Sequence, residues 1–113
     1  MELAKTPEPP YYTVIFSSIK NGESNTYDNM SKKMVELVDN QPGFLGFESA
    51  QEEIGITISY WESIDYIQQW KMNVNHLDAQ IKGKTDWYKS YVVRIAKVER
   101  EYSFDNTEFY DVW

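Results

Sequence analysis

A chain of 113 residues has room for one domain. Eighteen acidic against eleven basic side chains leave a net charge of −7, which lacks the basic footprint that nucleic acids and anionic membrane surfaces require. The 42% hydrophobic and 16% aromatic content suffices for a packed core and excludes wholesale disorder, while the absence of cysteine excludes disulfides, thiolate metal sites and a cysteine nucleophile.

Residues 1–10 hold three of the four prolines and read as an extended, mobile arm. They show no apolar run and no basic start, so a signal peptide is not expected, and no window reaches the roughly 20 apolar residues of a membrane span. A cysteine-free chain of this kind suits the cytoplasm. Residues 11–19 are rich in aromatic and β-branched side chains and predict a first strand. Tyr12, Val14 and Phe16 fall on one side and Tyr11, Ile15 and Ile19 on the other, so both faces are expected to be covered.

Residues 20–26 form a polar turn, with Asn25 or Thr26 as helix cap. Met30, Met34, Leu37 and Val38 then repeat at the spacing of one helix face, and Pro42-Gly43 stops that helix, predicted over residues 27–40. Residues 44–51 read as a second strand, Glu52-Glu53 as a turn, and residues 54–61 as a third strand in which Ile54, Ile56, Ile58 and Tyr60 alternate with Gly55, Thr57, Ser59 and Trp61. The short link makes this pair an antiparallel hairpin.

Ser63 caps a second helix whose apolar stripe is Ile64, Ile67, Trp70, Val74, Leu77 and Ile81, ended by Gly83. Residues 86–90 read as a helical turn or bend and residues 91–100 as the fourth strand. Residues 103–113 close the chain as an acidic, aromatic tail beyond a domain spanning 11–102. The order βαββαβ predicts a ferredoxin-like α+β fold, a four-stranded antiparallel sheet with two helices on one face. A second copy of the sheet is expected to cover the other face, giving a homodimer.

Several side chains carry two readings. Trp61 and Trp70 are core, or walls around a flat apolar ligand. The tyrosines, Tyr12 and Tyr60 among them, pack at the core and interface or donate a hydrogen bond to a substrate oxygen. Arg94, in the middle of the fourth strand, pairs with a carboxylate or orients an anionic substrate. Glu48 is an exposed strand acid or a general base. His76 lies off the apolar stripe, on the surface or at a pocket mouth or dimer interface; as the sole histidine it is the candidate base, and it cannot build a multi-histidine metal site.

Pro42-Gly43-Phe44-Leu45-Gly46, the junction Tyr60-Trp61-Glu62-Ser63, Trp70 and the pair Trp87-Tyr88 together resemble the antibiotic biosynthesis monooxygenase domain family of small dimeric α+β barrels, over residues 11–102. The resemblance implies a cofactor-independent monooxygenase acting on a small aromatic or quinol-type substrate, with Trp61 in the pocket. Tyr12, Tyr60, Trp70 and Arg94 complete the candidate substrate contacts; no metal, flavin or haem is called for. The chain departs from the family at informative places. The polyketide oxygenases carry an Asn four residues before this Trp and a Tyr six residues after it, where Thr57 and Ile67 stand here. The haem-degrading branch has an Asn in the first strand, where Ser17 and Ser18 stand here. It also has a His ten residues past its helix Trp, where Gln80 stands here. A non-catalytic homodimer that binds or shields a small apolar ligand is therefore the second reading, and haem cleavage the third.

Overall fold

The computed structural model describes residues 2–22, 25–81 and 87–105, with the side chains of 25–30 and 75–81 excepted. Six elements follow in the expected order: β1 (Tyr11–Lys20), α1 (Asn25–Asp39), β2 (Phe44–Gln51), β3 (Gly55–Trp61), α2 (Ile64–Ile81) and β4 (Tyr88–Val98). The strands form one antiparallel sheet in the order β2-β3-β1-β4, the ferredoxin-like arrangement. No helix among the described residues is long and apolar enough to cross a membrane.

The register sorts the side chains by face, because directly paired residues share one side of a sheet. Tyr12, Val14, Phe16 and Ser18 of β1 lie level with Trp61, Ser59, Thr57 and Gly55 of β3 and with Lys97, Ile95, Val93 and Tyr91 of β4. This is the side that the helices cover, since Val38 of α1 and Ile67 of α2 pack with Trp61. Tyr11, Thr13, Ile15, Ser17 and Ile19 face the other way, beside Tyr60, Ile58 and Ile56 and beside Ala96, Arg94 and Val92. We call the two sides the helix side and the far side.

The two sequence motifs around β2 and β3 meet in space. Phe44 pairs with Trp61, and the Glu62 N–H donates to the Gly43 carbonyl at 2.8 Å. Gly43 has φ 76°, and a Cβ built there would sit 2.1 Å from the Tyr66 ring, so only glycine lets α2 approach this closely. Ser63 caps α2 as expected: its hydroxyl accepts the Tyr66 N–H and its carbonyl the Ile67 N–H.

Some boundaries and faces differ from expectation. The fourth strand begins at Tyr88, where a bend was expected, because a register shift between Ile19 and Lys20 absorbs one extra residue and keeps the pairing alive. The third strand starts one residue later, with Ile54 exposed in the turn. On α1 Val38 is buried but Leu37 is exposed, and on α2 Ile64 is exposed while Ile67 is buried, so each stripe is narrower than its apolar spacing suggests. The first helix begins at Asn25, two residues earlier than expected, so Asn25 and Thr26 lie within it rather than ahead of it. The side chains of Asn25, Thr26, Met30, Leu77 and Ile81, and Gly83 itself, lie outside the described part of the chain. The proline-rich arm, expected to be mobile, is tied to the sheet. The Ala4 N–H donates to Glu48 Oε2 at 3.0 Å, and Ala4 lies against Gly46, where a side chain would stand in its way.

Gly43→Ala should destabilise the fold by about 2–4 kcal/mol, the left-handed backbone penalty plus the displaced tyrosine ring. A urea unfolding midpoint unchanged from wild type would show that Tyr66 yields without cost.

Candidate functional site

Trp61 is the deepest side chain among the described residues, at 0% exposure. Its indole N–H donates to Ser59 Oγ at 2.9 Å, one strand pleat away on the same side. Phe44 meets its ring edge-on at 5.4 Å, and Trp70 of α2 stacks on it at 6.3 Å with 30° between planes. Tyr12, Val14 and Tyr66 complete the cluster. The structure thus brings Tyr12, Trp61 and Trp70 of the candidate set together at one end of the helix side. Their roles differ: Trp61 is sealed in with its N–H already partnered, whereas Tyr12 and Trp70 are half-buried.

Tyr60 and Arg94 are not with them. Alternation in β3 and β4 turns both to the far side, so they and the Trp61 cluster cannot line one pocket within a single chain. Tyr60 donates its hydroxyl to Glu48 Oε1 at 2.6 Å, and Glu48 also accepts the Ala4 N–H. The carboxylate expected to stand exposed is thus a half-buried anchor for the arm. Tyr11, edge-on to Tyr60 at 5.9 Å, donates to Glu101 Oε1 at 2.5 Å, and Thr6 donates to that same oxygen at 2.8 Å. Burial, then the bond to Glu48, pushes the Tyr60 phenol up to about 12; burial, then the bond to Glu101, also raises Tyr11. Arg94 is exposed and makes no ion pair among the described residues, so the expected carboxylate partner is not there. His76 lies on α2, but its side chain is outside the description.

A second aromatic group, not singled out from the sequence, occupies the opposite end of the helix side. Phe16 stacks on Tyr91 at 5.2 Å and meets Tyr88 edge-on at 5.4 Å, with Tyr88 and Tyr91 5.7 Å apart. Tyr88 and Tyr91 are three residues apart, an odd spacing that puts side chains on opposite faces of a regular strand. The register shift opposite Ile19 and Lys20 brings both to one side, and no sequence signal marks that shift. Among the described residues no three His, Cys, Asp or Glu side chains cluster as metal ligands would.

The βαββαβ order and the four-stranded antiparallel sheet define a ferredoxin-like α+β protein. The family described as "Antibiotic biosynthesis monooxygenase" matches residues 10–82, and this chain belongs to that family. It is similar to YqjZ of Bacillus subtilis (strain 168), described as an uncharacterized protein, with 51% identity over 108 residues, 93% of this chain and 95% of that one. Its fold is similar to the crystal structure of PA3566 from Pseudomonas aeruginosa, with TM-score 0.62, 15% identity, and 85% of this chain and 99% of that chain covered. The solution structure of the Arabidopsis thaliana protein At3g17210 is similar too, with TM-score 0.55, 20% identity, and 92% and 96% covered.

The raised Tyr60 phenol predicts an alkaline signature. The unfolded tyrosine ionises near 10 and the folded one near 12, so the folded state holds the extra proton between them. The contribution is fully present below pH 10 and is lost as pH rises through 12. Tyr60→Phe should therefore make the decline in urea midpoint between pH 10 and 12 shallower; an unaltered decline would show that the Glu48 bond does not hold this proton.

Proposed function

We propose that the protein is a homodimeric, cofactor-independent monooxygenase acting on a small electron-rich aromatic of the phenol or quinol type. Membership of the monooxygenase family supports the reaction class. The observation that carries the reading is the Trp61–Trp70 stack with Tyr12 beside it: a rigid aromatic wall on which a flat ring can lie, backed by a side chain that cannot move.

The substrate supplies the reducing power. Loss of a phenolic proton raises its electron density, one electron passes to O₂, and the radical pair collapses to a peroxide that sheds water. One ring C–H becomes a carbonyl; one oxygen atom of O₂ stays in the product and the other leaves as water. The protein's part is to bind, orient and exclude bulk water. The helix side of the sheet offers hydroxyls, an amide and two amines: Tyr12, Ser18, Ser49, Thr57, Ser59, Tyr88 and Tyr91, then Gln51, then Lys20 and Lys97. None is a carboxylate or imidazole, so His76 of α2 is the base under this proposal. The same inventory supports the alternative, a dimer that binds the aromatic without oxidising it.

The far side supports the dimer. Ile19 is 43%, Ile56 41% and Val92 49% exposed, an apolar surface that flanks Ser17 once the register is followed across β3, β1 and β4. A second copy, related by a twofold axis, would cover it. Arg94, in the same patch, is a partner contact under this reading, and Tyr60 is held back by Glu48 and the arm. A cytoplasmic setting belongs to the same proposal and rests on the cysteine-free composition.

Oxygen uptake with a panel of quinols and phenols tests the reaction. Wild type should exceed the buffer rate, with Trp70→Ala and His76→Ala each slower by about 10²-fold, the usual scale of positioning and general-base contributions. Uptake at the buffer rate across the panel would leave the binding reading in its place.

A further inference from the structure

We infer that the Trp70–Trp61 stack and the Tyr60–Tyr11 pair form a one-electron discharge route. It carries an oxidising equivalent off the helix side, through the sheet, to two carboxylate-bonded phenols on the far side. The oxidant it serves is a radical of the peroxyl class. Such a radical arises when a substrate radical escapes collapse and adds O₂. That source rests on the oxygen chemistry proposed above; the route itself does not.

Two independent observations carry it. The first is the succession of oxidisable rings. Indoles and phenols give up one electron more readily than the other side chains of a cysteine-free chain. Trp70, half-buried, stacks on the sealed Trp61 at 6.3 Å. Tyr60 precedes Trp61 in β3, one peptide unit away, and its ring points through to the opposite side. There it meets Tyr11 edge-on at 5.9 Å. Tunnelling falls off exponentially with distance, so several short steps between such rings outrun one long step.

The second is where the proton acceptors stand. An oxidised phenol is a strong acid, and it keeps the oxidising equivalent only if its proton leaves. The Tyr60 hydroxyl donates to Glu48 Oε1 at 2.6 Å and the Tyr11 hydroxyl to Glu101 Oε1 at 2.5 Å, both within reach for direct proton transfer. Trp61 is the contrast: its N–H donates to the Ser59 hydroxyl, a weak base. The oxidised indole therefore keeps its proton, stays strongly oxidising and draws an electron from the next ring. Direction is set by which ring has a base beside it.

The step balances. The peroxyl radical takes an electron from Trp70 and a proton from solvent, and leaves as a hydroperoxide. Trp61 refills Trp70, Tyr60 refills Trp61, and the Tyr60 proton passes to Glu48. In sum, one peroxyl radical, one solvent proton, the phenol and the carboxylate become one hydroperoxide, the Tyr60 phenoxyl radical and the Glu48 carboxylic acid. A soluble enediol reductant of the ascorbate class returns the electron and releases its own proton to solvent, and Glu48 returns the proton it held.

The absence of cysteine makes the test clean. Met72, 71% exposed on α2 and two residues past Trp70, is replaced as Met72→Cys in the whole protein, and a ruthenium photo-oxidant is tethered there. A flash with an external quencher should give a tyrosyl radical by electron paramagnetic resonance. The double variant Tyr11→Phe/Tyr60→Phe should abolish it. Trp61→Phe should lower its yield by about tenfold or more, because a phenyl ring is not oxidised and the single long step that remains has a higher barrier. Trp70→Phe, at a half-buried position, carries the same expectation should Trp61→Phe fail to fold. Glu48→Gln/Glu101→Gln keeps both phenols and should slow radical formation by about tenfold or more, the loss of a general base. A signal that survives the loss of both phenols, on Tyr12 or Tyr66, would overturn the route. So would a yield indifferent to the indole variants, a rate indifferent to the carboxylates, or no tyrosyl radical at all. Oxygen consumption is read separately. Tyrosyl radicals of this pattern in a protein that consumes no oxygen leave the route and remove the monooxygenase reading, and turnover without them does the reverse.

Discussion

The fold turns on the burial of one indole. Trp61 ends β3, so its side is dictated by strand alternation, and it must be covered by whatever the chain places above the sheet. Phe44 from β2, Val38 from α1, and Ile67 and Trp70 from α2 converge on it. Removing a fully enclosed aromatic costs several kcal/mol in a typical domain. Here it would also leave the Ser59 hydroxyl without its donor. The tight passage at Gly43 and the cap at Ser63 exist to bring α2 within reach of that ring.

From that anchor the sheet acquires two faces with different chemistry. The helix side runs from the Trp61 cluster through Val14 and Ile95 to the Phe16 trio, mainly apolar, with scattered hydroxyls and with Gln51 and Lys97 toward its margins. The far side divides into a polar end, where Glu48, Glu101, Tyr11 and Tyr60 tie down the arm, and an isoleucine-rich end that is bare. The arm sits at the one place where β2 has no side chain, Gly46. Under the proposed function, ligand chemistry belongs on the first face and partner contact on the second.

Much of this is legible in the order of residues. Alternation in β3 predicts which of its side chains share a face, and Pro42-Gly43 and Ser63 mark a helix end and a helix start by their backbone chemistry. The candidate site is legible in half. Tyr12, Trp61 and Trp70 meet, because strand and helix periodicities can be read separately and then laid together. Tyr60 and Arg94 belong to the opposite side, which the period of two already separates from Trp61 and which a list of attractive residue types conceals. The Phe16 trio depends on a register shift between two strands far apart in sequence, which leaves no local mark. The arm's attachment through Ala4 uses a backbone N–H, which every residue but proline has.

The division of the sheet into a partner face and a ligand face is the central claim, and methyl NMR with a neutral paramagnetic probe in solution tests it directly. The methyls of Ile19, Ile56 and Val92 should be shielded from the probe in the free protein at micromolar concentration, while those of Val93 and Ile95 relax fast and become shielded only when an aromatic ligand is added. Fast relaxation at Ile56 and Val92, together with shielding of Val93 and Ile95 before any ligand is present, would contradict the account.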